Sequence, residues 1–268
     1  MSGPLGPAAT AELLERHGVR TTKVLGQHFL IDPNVVRRIV EIAGVGSDDD
    51  VLEIGAGAGT LTRALAESGA RVVSYEVDER LRPVLAEVLD GVAVDLRFAD
   101  ATEADLAGLV ADGRWTVVAN LPYNVGTPMV LDLLRHAPAI ERFVVMLQRE
   151  AVERLAADPG SKTYGLPSVV CGLHGRVRIA LRVPPHLFLP RPQVESAVAV
   201  IDRRPAPPES EAAIALAARA FGQRRKMLRR SLAGVVGSRA FEAAGIDAAA
   251  RPEDLGPDDF VALARAAA

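Results

Sequence analysis

The chain has 268 residues, of which 49% are hydrophobic and 24% charged, enough apolar material for one large domain or one domain with a small appendage. No apolar run approaches the roughly 18 residues of a membrane-spanning helix, and residues 1–10 lack a basic region followed by an apolar stretch. The single cysteine, Cys171, excludes an intramolecular disulfide and a thiolate zinc cluster, so a cytoplasmic protein without metal is expected. Net charge of −3 and a pI near 6.0 argue against a broadly basic nucleic-acid binder. The average hides one cluster: Arg219, Arg224, Arg225, Lys226, Arg229 and Arg230 follow one another with no acid between them. Taken alone, such a run is most simply a solvated face.

In chain order, Asp32-Pro33 can start a helix with Val35, Val36, Ile39, Val40 and Ala43 on one side. Strands are predicted over 51–54, 71–75, 95–98, 115–119 and 143–147, alternating with helices over 61–68, 79–89, 129–136 and 150–157. This alternation predicts an α/β fold, a parallel sheet with helices on both faces. After Ser168 the pattern changes. Segments 177–183 and 194–201, joined by a turn rich in proline (Pro184, Pro185, Pro190, Pro192), predict late, partly antiparallel strands at a sheet edge. The expected division is a catalytic domain over 1–201, a Pro-rich linker over 202–210 and a small helical domain over 211–268. There is no internal repeat.

Three features fall at the ends of consecutive predicted strands. The first is Glu53-Ile54-Gly55-Ala56-Gly57-Ala58-Gly59-Thr60, where glycines allow a tight turn and close approach of backbone to a ligand. It lacks the Lys-Ser/Thr of a phosphate-binding P-loop, which argues against ATP or GTP. The second is Glu76, placed to accept hydrogen bonds from both hydroxyls of an adenosine ribose. The third is Asp100, placed to accept one from an adenine amino group. Carboxyl ends of parallel strands are where open α/β sheets bind ligands, and this trio suits S-adenosylmethionine or a dinucleotide.

Asn120-Leu121-Pro122-Tyr123, after the fourth strand, decides between them. The exocyclic nitrogen of adenine is a poor nucleophile because its lone pair is delocalised into the ring. Asn120 can accept one of its protons, and a main-chain carbonyl at Leu121 or Pro122 the other. Two such acceptors favour a tetrahedral nitrogen and free its lone pair for attack on a sulfonium methyl. Pro122 fixes the carbonyl's direction, and Tyr123 offers a face on which an extruded base can stack.

With these residues the chain resembles the small-subunit ribosomal RNA adenine N6,N6-dimethyltransferases (the KsgA type). The resemblance runs through Gly26-Gln27-His28-Phe29-Leu30, Leu52-Glu53-Ile54-Gly55-Ala56-Gly57, Tyr75-Glu76-Val77-Asp78, Asn120-Leu121-Pro122-Tyr123, Leu147-Gln148-Arg149-Glu150 and Lys162-Thr163-Tyr164-Gly165. It continues in Phe188-Leu189-Pro190-Arg191-Pro192-Gln193-Val194-Glu195-Ser196-Ala197-Val198 and Phe221-Gly222-Gln223-Arg224-Arg225-Lys226-Met227-Leu228, its two most specific segments. It implies a Rossmann-like class I methyltransferase fold and dimethylation of two adjacent adenosines in a hairpin loop near the 3′ end of small-subunit rRNA. It also implies a pre-ribosomal small subunit as partner and a monomeric enzyme. The cofactor set it implies is Gln27, His28, Leu30, Gly55, Gly57, Glu76, Val77, Asp100, Ala101 and Asn120. Phe188 is implied as the wall of the base pocket opposite Tyr123, with Phe29 in the core. From the basic cluster itself, Arg224, Arg225, Lys226 and Arg229 are the expected RNA contacts. His28 stands where relatives often carry Asn, and Pro167 where another residue is common. Alternatives are a related large-subunit rRNA adenine methyltransferase, a ribosome assembly factor acting by binding, and, more remotely, a nicotinamide dehydrogenase.

Overall fold

In the computed structural model, which describes residues 5–19 and 27–268, the predicted alternation forms in chain order. The elements are α1 (Pro7–Arg16), β1 (Phe29–Leu30), α2 (Pro33–Ala43), β2 (Asp50–Ile54), α3 (Thr60–Glu67), β3 (Arg71–Glu76), α4 (Arg82–Val88), β4 (Asp95–Phe98), α5 (Leu106–Leu109), β5 (Trp115–Asn120) and α6 (Gly126–His136). They continue with β6 (Ile140–Gln148), α7 (Arg149–Leu155), α8 (Leu166–His174), β7 (Gly175–Val183), β8 (Phe188–Leu189), β9 (Ser196–Arg203), α9 (Ser210–Phe221), α10 (Leu228–Ser231), α11 (Ser238–Ala244) and α12 (Pro257–Ala267).

Helix α2 shows how local chemistry sets a boundary. The Asp32 carboxylate accepts from the Val35 amide, Pro33 occupies the first turn, and Gly44 ends the helix in the left-handed region at φ 66°. Its Val36, Ile39 and Ala43 are buried, the face expected from the spacing. Helix α1 has no counterpart among the elements expected from the sequence. Its Leu13 and Leu14 pack with Leu81, Leu85 and Val88, while Arg16 and His17 both reach Glu87 at the end of α4.

The main sheet has the order β4-β3-β2-β5-β6-β9-β7. Strands β2 to β6 pair in parallel, and the sheet is mostly parallel with an antiparallel edge. The chain runs outward from β2 to β4, then crosses back to β5, so the topological switch lies between β2 and β5. β7 forms the edge, and β9 sits one place inside it, between β6 and β7. Burial follows position: Ser196 to Ile201 are fully buried, whereas β7 exposes Arg176, Arg178, Ile179 and Arg182. A separate two-stranded ribbon pairs β1 with β8, Phe29 opposite Leu189 and Leu30 opposite Phe188.

The chain divides into two compact units, Met1–Val152 with Arg178–Ile201 and Glu153–Val177 with Asp202–Ala268. This differs from the linear division expected, because residues 153–177 join the C-terminal helices. The reason is packing within the second unit. Tyr164, buried, donates its hydroxyl to the Leu255 carbonyl at 2.9 Å and meets Phe221 edge-on at 5.9 Å. Gly172 of α8 lies so close to Pro257 that an added Cβ would come within 2.5 Å of it. Pro167 sits in the first turn of α8, where its missing amide hydrogen is tolerated.

Another close approach positions the turn after β5. A Cβ on Gly126, at the start of α6, would lie 2.3 Å from Leu147 Cδ2 and 2.8 Å from Leu121 Cβ. Gly126→Ala therefore has to displace Leu121 or Leu147. We expect a loss of about 1–3 kcal/mol of stability from overpacking, read as a lower urea midpoint with unchanged slope, together with reduced methyl transfer.

Candidate active site

Beyond the carboxyl ends of β2, β3, β4 and β5 lies a cleft in the first unit. Gly55 and Gly57, Glu76 and Val77, Asp100 and Ala101, and Asn120 to Val125 line it, joined by Gln27, His28 and Phe29 from the N-terminal segment.

At one end, Gly55 and Gly57 turn the chain out of β2 with φ of 85° and 56°. A Cβ on Gly57 would also crowd the Phe29 ring, at 3.1 Å. The Gly57 amide donates to Glu76 Oε2 at 2.7 Å, and the Asp78 amide donates to Glu76 Oε1 at 2.9 Å. Glu76 is thus held rigidly and keeps lone pairs for further donors. Burial raises its pKa, and the two amide bonds pull the other way. Asp78, held below the usual carboxylate range by the Arg80 guanidinium, accepts from Gln27 Nε2 at 2.8 Å. That bond fixes the amide so that Gln27 Oε1 is the acceptor, and this atom is buried with no partner among the described residues. Asp100 Oδ1 takes both the amide and the hydroxyl of Thr102, leaving Oδ2 for a ligand. Val77, between Glu76 and Asp78, is 49% exposed although large and apolar. A carboxylate pair, an orphaned buried acceptor and an apolar face suit the hydroxyls, amino groups and adenine ring of S-adenosylmethionine.

At the other end, Asn120 Nδ2 donates to the His28 carbonyl at 3.0 Å, and no described residue donates to its Oδ1, which leaves that atom as an acceptor. The Pro122 carbonyl is already engaged by the amides of Val125 and Gly126 at the start of α6. No described residue donates to the Leu121 carbonyl. Of the two carbonyls open from the sequence, the structure leaves Leu121. Tyr123 is half-buried, with its hydroxyl 2.8 Å from Ser196 Oγ. Its ring stacks on His28 with centroids 5.5 Å apart. His28 Nδ1 in turn donates to the Pro190 carbonyl at 2.7 Å. One face of Tyr123 is therefore covered by the imidazole.

The residues expected at the site do not all meet there. Leu30 and Phe188 are paired across the β1–β8 ribbon and buried in the core with Val36, Leu61 and Val198. Phe29, expected in the core, lines the cleft as well as packing with Ala56 and Ala58. Strand periodicity is the reason: neighbours face opposite ways, so a ribbon that aims Phe29 at the cleft aims Leu30 and its partner Phe188 inward. Gly26 lies outside the described residues. Sequence reasoning did not single out Ser196 or Thr102 as site residues, because a buried serine in a strand and a threonine in a turn carry no spacing signal. In the second unit, Arg224 bonds the Lys162 carbonyl and pairs with Glu253 at 3.5 Å, while Arg225, Lys226, Arg229 and Arg230 are exposed.

A glycine turn, two strand-end carboxylates and an Asn-Leu-Pro-Tyr turn at the switch point of this sheet mark a Rossmann-like methyltransferase. The model of the ribosomal RNA adenine dimethylase family matches residues 18–268, and the chain belongs to that family. A relative from Phenylobacterium zucineum, named ribosomal RNA small subunit methyltransferase A, is 46% identical over 259 residues, 95% of this chain and 91% of the relative. Among solved structures, a dimethyladenosine transferase from Plasmodium falciparum shares the fold with a TM-score of 0.76 at 23% identity, over 88% of this chain and 96% of that one. The 23S rRNA methyltransferase ErmE aligns with a TM-score of 0.71 at 28% identity, over 89% and 99%.

Immediately before the glycine turn, Glu53 is fully buried and accepts from the Ser74 hydroxyl. Burial pushes its carboxyl up to about 7 from 4.5. Folded protein thus keeps this proton in a pH range where the unfolded chain has lost it. Stability should fall as pH rises from about 4.5 to about 7 and then level off, a change of roughly 3 kcal/mol for this group. Glu53→Gln should remove that fall. Urea unfolding across pH 5–8 checks it; an unchanged pH profile in the variant would contradict it.

Proposed function

We propose that the enzyme transfers methyl groups from S-adenosylmethionine to the exocyclic nitrogens of two adjacent adenosines in a hairpin loop near the 3′ end of small-subunit rRNA. When bound, S-adenosylmethionine supplies the electrophilic methyl of its sulfonium. Gln27, His28, Gly55, Gly57, Glu76, Val77, Asp100 and Ala101 would hold it. The observation that carries the reading is the commitment of Asn120 Nδ2 to the His28 carbonyl. It leaves Asn120 Oδ1 and the Leu121 carbonyl as two acceptors for the two protons of an adenine amino group. Accepting both draws the nitrogen lone pair out of the ring. Tyr123 stacks on the base, its ring fixed by Ser196 and His28. The methylated nitrogen is acidic enough to lose its proton to water, so no side chain has to act as a strong base.

The small-subunit substrate is favoured over a large-subunit one by the 46% identity to a small-subunit enzyme, against 28% to ErmE. We place the enzyme in the cytoplasm, acting as a monomer on a pre-ribosomal small subunit. Incubation of under-methylated small subunits with labelled S-adenosylmethionine, followed by mapping of the modified bases, tests the whole reading; label absent from adenosine would refute it.

Two variants should separate binding from chemistry. Glu76→Ala should weaken the cofactor by about 1.5–3 kcal/mol in calorimetry, through loss of a charged acceptor. Asn120→Ala should lower the single-turnover rate roughly a hundredfold or more while the fold is retained. A near-normal rate would remove Asn120 from the chemistry.

In the second unit we propose that Arg225, Lys226 and Arg229 bind RNA phosphates. Arg224 is the exception, being tied to Lys162 and Glu253. Replacing the three by Gln should flatten the salt dependence of small-subunit binding by somewhat less than one unit for each phosphate no longer neutralised. A lower melting temperature with an unaltered slope would mean a structural role.

A further inference from the structure

Between Asp158 and Glu195 the sequence holds no acidic residue, in a chain where 34 of 268 residues are acidic. Arg178, Arg182 and Arg191 lie in the part of this stretch that belongs to the catalytic unit, and all three are exposed. None has an ion-pair or hydrogen-bond partner among the described residues. The nearest acid along the chain, Glu195, is paired with Arg149 at 2.7 Å. Uncompensated cations gathered in one place on an acidic protein create a local positive field that the net charge conceals.

Their placement has a direction. Arg178 and Arg182 occupy alternate positions of β7, so they share one face of the edge strand about 13 Å apart. From the end of β7 the chain turns through Pro185–Leu187 into β8, which pairs with β1 beside the cleft. The Pro190 carbonyl then bonds His28, the residue stacked on Tyr123. Arg191 follows immediately. The series Arg191, Arg182, Arg178 thus begins one residue from the carbonyl that holds His28 and runs down the outer strand. On the other side of β5 the strand ends of β2, β3 and β4 are given over to the cofactor. The side of β5 away from those strand ends holds β6, β9 and β7, three strands or roughly 14 Å across, over which a polynucleotide whose base is inserted at Asn120 can leave.

We propose that Arg191, Arg182 and Arg178 form a basic track on the catalytic unit that holds the phosphate backbone of the substrate RNA next to the target adenosine. The proposal rests on the reading of the chain as an rRNA adenine methyltransferase. It adds a binding surface separate from the cations of the helical unit. Charged side chains on an edge strand also block strand-to-strand association, and the test has to tell the two roles apart.

The full-length Arg178→Gln/Arg182→Gln/Arg191→Gln protein is compared with wild type. Binding is measured against potassium chloride concentration, on under-methylated small subunits and on a protein-free RNA hairpin with two adjacent adenosines in its loop. Cofactor affinity is measured by calorimetry and association by sedimentation. The track predicts a salt slope shallower by about two to three units on both RNAs, at about 0.7–0.9 for each phosphate no longer neutralised, with cofactor affinity unchanged. The matching triple Lys variant should restore the slope, because the charge is what is used. An unaltered slope accompanied by self-association would overturn the proposal in favour of edge protection. Weaker binding to small subunits but not to the protein-free hairpin would overturn it in favour of a site for a ribosomal protein. Failure of the wild-type enzyme to methylate adenosine in small subunits would instead bring down the functional reading, and the track with it.

Discussion

The hydrogen bond from Asn120 Nδ2 to the His28 carbonyl is the constraint on which the rest of the site depends. An amide side chain has one donor end and one acceptor end, and committing the donor end fixes which atom faces the substrate. The bond also joins two parts of the chain 92 residues apart. Through it the turn after β5, the ribbon of β1 and β8 and the ring of Tyr123 become one assembly. The carbonyl belongs to the residue immediately before β1.

The same economy holds at the cofactor end. Glu76 is oriented by the amides of Gly57 and Asp78, and Gln27 by the carboxylate of Asp78. Each group that would meet the ligand is fixed by a neighbour before the ligand arrives, so little ordering entropy remains to be lost on binding. Burying Glu53 and Glu76 side by side opposes folding.

The parallel half of the fold and the three strand-end features were legible because they rest on local signals: apolar runs of strand length, a glycine turn, and an acid at a fixed place after a strand. The ribbon of β1 and β8 was not, since two residues of strand carry no periodicity. That gap exchanged the roles of Phe29 and Leu30 and hid the burial of Phe188. The residues of β9 suggest alternation, although both its faces are covered and it is buried almost throughout. Residues 153–177 fall, by the linear reading of the sequence, within the catalytic domain. What assigns them to the helical unit is the packing of Tyr164 and Gly172 against residues about 90 positions further on, beyond the reach of any local window. Arg224 looks like its neighbours in a basic run, and only its partners Lys162 and Glu253 set it apart.

The position of β9 also governs how the protein is made. It is the last strand of the sheet to leave the ribosome, yet it belongs inside, between β6 and β7. A nascent chain that stops before Ser196 has two strands with open hydrogen-bonding edges and a gap where a largely apolar strand must enter. The catalytic unit therefore closes only after some three quarters of the 268 residues have been synthesised. Until then those edges are open to other chains.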